Sequence, residues 1–130
     1  MERPVPYTIT YNEIGYILLS CSGTARLKDL SEAIVQGAPM VEQYNCYRVL
    51  SDFREMKLTL SIMDLFSIPA TQAMLSDKLH MRYHWFRRAV LVPEADFEKY
   101  KFFENVAVNR FHVVKVFTEK AEAVSWLMEK

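Results

Sequence analysis

"RVLSDFREMKLTLSIMDL", residues 48–65, decides the fold of this chain. Its opening, "RVLSDF" (48–53), has the apolar and β-branched content of a buried strand. Asp52, Arg54 and Glu55 then come at the expected strand exit. Ser61 follows, and Asp64 stands three residues later, a capping box with aspartate in place of glutamate or glutamine. A short helix from Ile62 to about Phe66 is the expected continuation. Strand, polar exit and helix start together spell a βα unit.

The same grammar extends in both directions. Upstream, "YTITY" (7–11) alternates and is rich in β-branched and aromatic residues. A turn at Asn12-Glu13 leads into "IGYILLSCS" (14–22), giving an antiparallel hairpin, with Gly23 and Thr24 expected to break the strand. Leu27, Leu30, Ala33, Ile34, Ala38 and Val41 mark one helix face, ended by Gly37 or Pro39. Downstream, Pro69 suits the first turn of a helix over "PATQAMLSDKLHMRY". "RAVLV" (88–92) is uniformly apolar, as a central parallel strand requires, and Pro93 ends it. "EADFEKYKFFENVAV" reads as a helix and "HVVKVF" (112–117) as a strand whose Lys115 blunts a sheet edge. Thr118 is the expected cap of the last helix, "EKAEAVSWLMEK". The order ββαβααβαβα predicts an α/β fold: a hairpin followed by right-handed βα units, in a mostly parallel five-stranded sheet.

Composition fits one domain over residues 1–130. Sixteen basic and sixteen acidic side chains cancel, which leaves no global electrostatic footprint for nucleic acid or an anionic membrane. The N-terminal "MERPVPYTIT" lacks the apolar run of a signal peptide, and no apolar stretch has the length of a membrane span. Cys21 and Cys46 lack a CxxC or metal-ligand spacing and read as reduced, apolar residues. A cytoplasmic location is expected.

Three blocks, "RVLSDFREM…S..DLF..P", "RRAVLVPEADFEKYKFFENVAVNR" and "VKVFTEKAEAVSWL", resemble the SpoIIAA-like family. These small bacterial proteins are similar in fold to the STAS domains of anti-sigma-factor antagonists. The resemblance runs from Tyr7 to Leu127 and implies the hairpin-opened βα superhelix. In the antagonists a serine at the start of the helix after the central strand is phosphorylated by a partner kinase, within an Asp-Ser-Ser-Gly-like run. Here Asp52 is followed by Phe53-Arg54-Glu55, the next serine is Ser61, and no glycine lies between Arg48 and Pro69. The resemblance therefore implies the fold and a bias toward interaction, and the phosphoserine does not transfer residue by residue.

Ligands of open α/β sheets bind outside the carboxyl ends of the strands. That rim is expected to hold Ser22, Thr24, Asp52, Arg54, Pro93, Glu94 and Thr118. Asp52 with Arg54 can present a carboxylate and a guanidinium to a partner, or simply pair with each other. Ser61 suits a phosphate at a helix N-terminus, but capping alone explains it. His80 and His84, with Asp77 a turn earlier, have a metal-compatible spacing. Arginines crowd them and no third ligand is evident, so no metal is expected. "HMRYHWFRR" (80–88) mixes bases and aromatics, which Tyr83, Trp85 and Phe86 explain as core anchors. Nucleic acid is not expected there. Phe97, Tyr100, Phe102, Phe103, Val106 and Ala107 exceed one apolar stripe and offer a surplus face.

No GxSxG, P-loop, dinucleotide or zinc-protease motif is present, and no catalytic residue or cofactor is expected. The leading expectation is a non-enzymatic interaction or regulatory module, a homodimer through its aromatic helices or bound to a protein partner. The alternative is a carrier or sensor of a small apolar ligand lined by Phe102, Phe103, Met56, Met63 and Met74. Pocket shape separates the two.

Overall fold

A computed structural model of the chain describes residues 7–25, 27–58, 86–108 and 113–129; at positions 25, 27, 30, 57, 58, 103 and 106–108 it describes the backbone alone. Strands β1 (Tyr7–Asn12) and β2 (Tyr16–Ala25) form the opening hairpin. Three residues turn the chain between them. The Ile14 N–H donates to Asn12 Oδ1 at 3.0 Å and the Gly15 N–H to the Asn12 carbonyl at 2.9 Å. Gly15 then takes φ +117°, a conformation open to glycine because it lacks a Cβ.

Helix α1 (Leu27–Tyr44) connects β2 to β3 (Arg48–Leu58), which lies parallel beside β2. β4 (Arg87–Leu91) pairs parallel with β3, and β5 (Val113–Phe117) with β4. Between β4 and β5 come one 3₁₀ turn (Glu94–Asp96) and helix α2 (Phe97–Val108). Helix α3 (Lys120–Leu127) follows β5. The sheet order is β1-β2-β3-β4-β5, with only the β1–β2 pair antiparallel. This is the mostly parallel α/β sheet that the sequence predicts.

Alternation sorts the strands' side chains onto two covered faces. On one face, Ile17, Cys46 and Phe86 pack with Val41 of α1, while Cys21, Phe53, Val90, Val114 and Val116 pack with Tyr100 and Phe97 of α2. On the other, Leu50, Ala89, Leu91 and Phe117 meet Ala123 and Leu127 of α3. "RAVLV" is covered on both sides, as its uniform apolarity requires, and Leu91 and Val92 are wholly buried.

Four boundaries differ from the sequence expectation. β2 continues through Gly23 and Thr24 to Ala25, because β3 offers it partners to the end and Gly23 absorbs φ +72°. β3 correspondingly runs past Asp52, so Asp52, Arg54 and Glu55 lie within a strand and not in an exit loop. Helix α1 passes through Gly37 and Pro39. Pro39 is exposed, and its position four residues after the exposed Val35 puts the lost hydrogen bond on the solvent side. The helix stops instead at Asn45, φ +47°, where the Cys46 N–H donates to the Val41 carbonyl and the Asn45 N–H to the Glu42 carbonyl. These two bonds make a Schellman cap, with Cys46 packed on Val41. Finally, Glu119 and not Thr118 is the N-cap of α3, without a side-chain hydrogen bond. Both helices expected between residues 62 and 83 lie outside the described residues.

Candidate functional site

The rim at the carboxyl ends of the parallel strands is organised around an irregularity in β3. Ser20 pairs with Asp52, yet Ser22 pairs with Glu55, so β3 carries one extra residue around Phe53–Arg54. The bulge puts Phe53 and Met56, three positions apart, in the same core cluster. It also turns Arg54 back on Asp52. The Arg54 N–H donates to Asp52 Oδ1 at 3.1 Å, Nε to the same oxygen at 3.0 Å, and Nη2 to Oδ2 at 2.9 Å. Of the expected rim residues, these two are brought together as a bidentate ion pair.

Burial is the largest single influence on the Asp52 carboxyl and alone would raise its pKa. The hydrogen bonds from the Arg54 side chain and backbone, with the charges of Arg54 and Lys120, together overcome it and hold the carboxyl below its ordinary range. The hydrogen bond to Asp52 likewise raises Arg54. The pair is thus a fixed fork of opposite charges, with Arg54 the more exposed partner. Nearby inside the core, burial, helped by Asp29 and Asp52, pushes the Cys21 thiol up to about 12. Both cysteines are buried and free.

Of the other expected site residues, Thr24, Glu94 and Phe102 stand on separate elements. Thr24 is exposed on the extension of β2, and Glu94 is exposed in the 3₁₀ turn. Phe102 stands out from α2 with 40% of its surface exposed, while Phe103 is described by its backbone alone. Met56 is buried in the core, away from solvent-exposed Phe102. Ser61, Met63, Met74, Asp77, His80, His84, Tyr83 and Trp85 lie outside the described residues. Phe86 is a core anchor as expected, set edge-on to Tyr47 at 4.9 Å. Among the described residues no cluster of histidine, cysteine and carboxylate side chains is placed to hold a metal ion, and no helix is long and apolar enough to cross a membrane.

A second feature was not anticipated. Beneath α1 lies an apolar cleft of about 90 Å³. Ile9 and Ile17 come from the hairpin, Ala33, Gly37 and Val41 from α1, and Val49 from β3. Ser51 and Arg88 add the polar part of the wall. The sequence held one signal for it, a serine at an inward position of a buried strand, but no pattern ties that serine to α1.

No protein-family model matches the chain, and no curated protein matches it. Solved structures do. An uncharacterised DUF3478-family protein from Shewanella loihica PV-4, with a SpoIIAA-like fold, is 20% identical and superposes with a TM-score of 0.52, covering 93% of this chain and 91% of that one. The anti-sigma factor antagonist SpoIIAA in its unphosphorylated form is 9% identical, also with a TM-score of 0.52, covering 95% of this chain and 99% of its own. The fold is SpoIIAA-like. At these identities the likeness concerns the SpoIIAA-like fold, and the roles of Asp52, Arg54 and the cleft rest on this chain's own geometry.

Proposed function

We propose that the chain is a non-enzymatic regulatory module of the cytoplasm that docks a protein partner on its carboxyl-end rim and self-associates through α2. The observation that carries the reading is the Asp52–Arg54 fork on a SpoIIAA-like fold. A guanidinium already held by its own carboxylate loses little freedom on binding, and arginine is enriched in interfaces for its planar, multi-donor contacts. Phe102, exposed on α2, is the apolar contact proposed for the homodimer.

Cross-linking in cells of its own host, followed by mass spectrometry, tests this. The expected result is a defined cross-linked partner whose yield falls at least tenfold in Arg54→Glu, while a Phe102→Glu variant loses the homodimer in sedimentation. Loss of neither species in folded variants would overturn the assignment of both surfaces.

The carrier reading is favoured by a different observation. Of its expected lining, the two residues whose side chains are described lie apart, Phe102 on the surface and Met56 in the core. The cleft beneath α1 takes its place.

A further inference from the structure

Two tyrosines from distant parts of the chain meet face to face at the surface. Tyr11 lies near the end of β1, opposite Ile17 of β2, and Tyr44 is the last residue of α1. Their ring centroids are 3.9 Å apart and their planes are inclined by 1°. Both backbones are pinned. The paired strands hold Tyr11, and the cap formed by the Asn45 and Cys46 N–H groups holds Tyr44. The stack is thus set by where α1 ends beside the hairpin.

Exposure singles this pair out. Tyr44 is 42% exposed, and among the described residues it is the one exposed tyrosine. Tyr11, its stacking partner, is half-buried. Tyr16 and Tyr100 are closed off in the core, Tyr47 rests edge-on against Phe86, and Tyr7 packs against the Cys21 cluster.

We infer that Tyr11 and Tyr44 form an oxidative cross-linking site, at which a haem-peroxidase-type one-electron oxidant, fed by hydrogen peroxide, joins the two rings as a dityrosine. Each phenol gives up one electron and its hydroxyl proton, leaving two phenoxyl radicals whose unpaired spin reaches the Cε carbons beside the oxygen. The radicals couple to form one Cε–Cε bond. Each coupled carbon then loses its hydrogen as a proton while its oxygen regains one, which restores both phenols. The peroxide takes up two electrons and two protons and leaves as two waters. Two tyrosines and one peroxide thus become one dityrosine and two waters.

Proximity replaces a bimolecular encounter of radicals with a step inside one chain. The exposed Tyr44 ring has room to turn from face to edge as the bond forms, and exposed side chains make such turns fast. The bond staples the hairpin to α1 at one margin of the apolar cleft, whose wall includes Ile9, two residues before Tyr11, and Val41, three before Tyr44. Closing that loop restricts the unfolded chain as a disulfide does, so the cross-linked chain should melt higher.

The test is treatment of the full chain, at low concentration, with a haem peroxidase and limiting hydrogen peroxide. The expected product is a single chain lighter by two hydrogens, with dityrosine fluorescence and a digest species that joins Tyr11 to Tyr44. Methionine sulfoxide, the competing lesion, adds oxygen and is separated by mass. Tyr11→Phe and Tyr44→Phe keep a ring that stacks, so both should melt close to the native chain before oxidation. Each should nevertheless lose the intrachain cross-link by about tenfold or more, because the proximal second phenol is gone. Tyr7→Phe should keep it. Cross-links between chains alone, or an intrachain cross-link that survives in Tyr44→Phe, would overturn the site. A cross-linked chain that melts lower than the native one would overturn it too, since the bond would then form only by breaking the native contact.

Discussion

Arg87 and Arg54 stand at opposite ends of the parallel sheet and are engaged in opposite ways. Arg87 opens β4 and reaches the far end of the chain. Its Nε and Nη2 donate to the Trp126 carbonyl at 3.1 and 2.7 Å, its guanidinium carbon lies 3.9 Å over the Trp126 ring, and Nη2 is 3.3 Å from Glu129 Oε2. Trp126 belongs to the last turn of α3, where helix carbonyls lack intrahelical donors and a cation is favoured by the dipole. Arg54, by contrast, binds only two residues away and remains largely in water. The first arginine closes a long loop of chain and fixes α3 on the sheet. The second fixes only itself. An arginine spent on a distant backbone carbonyl is structural, while one held locally at the rim keeps its outer face for a partner.

The sharpest way to break this comparison is to remove each guanidinium. Arg87→Ala should cost about 2–3 kcal/mol, from charged hydrogen bonds to a half-buried acceptor and the lost cation–π contact. The midpoint of urea unfolding should fall with little change in its slope. Arg54→Ala should cost less than about 1 kcal/mol, since Arg54 is exposed and the pair is local. Equal costs would mean that the rim pair is structural, and the proposed docking role would lose its basis.

Two glycines repeat the contrast on a smaller scale. Gly15, at the Arg87 end, combines φ +117° with a would-be Cβ 3.3 Å from Met128 Cε, and Gly15→Ala should cost about 1–3 kcal/mol. Gly23, at the rim end, has φ +72° and open space around it, so Gly23→Ala should cost about 1 kcal/mol. Thermal melts of the two variants give the order directly. A reversed order would show that the β2–β3 extension is the tighter region.

What could be read from the sequence divides along the same line. The apolar run "RAVLV" and the alternating "YTITY" place β4 and β1, because burial on two faces or on one leaves a direct imprint on residue type. The reach of β2 and β3 is not legible in the sequence because the bulge in β3 breaks the period of two. Phe53 and Met56 share a face three residues apart, and the polar Arg54 and Glu55 between them, with Asp52 just before, imitate a loop. Gly37 and Pro39 looked like a helix end, but an exposed proline loses its hydrogen bond to solvent while Ala33 and Val41 keep the helix on the sheet. The Asp52–Arg54 pair was accessible to sequence reasoning because its partners are two residues apart. The Ser51–Arg88 wall was not, since only strand register brings those residues together.

The pH dependence of Asp52 sharpens what the rim pair does. Its native pKa is lowered, so its contribution to stability is fully present above the ordinary value of 3.8 and is lost as the pH falls through the lower native value. The stability difference between the native chain and Asp52→Asn should therefore close over that window and be constant above it. In Arg54→Ala the opposing effect of burial remains without its main counterweight, so the Asp52 carboxyl should titrate at higher pH, read from its 13C shift. No movement of that titration would mean that Lys120 and not Arg54 holds the carboxylate.

The smallest expected signal comes from Cys21, beneath the rim on β2. With its thiol pushed up to about 12, roughly one molecule in ten thousand carries a thiolate at pH 8, and the side chain is 3% exposed. Iodoacetamide should leave Cys21 unmodified in the native chain over hours and label it in urea at the rate of an ordinary thiol. Labelling under native conditions would report local opening of the core around Cys21 on β2. Its rate would then measure the stability of the rim by itself. If that opening proved as rare as global unfolding, the carboxyl end would be as firm as the end held by Arg87, and the difference between the two arginines would reside in their partners alone.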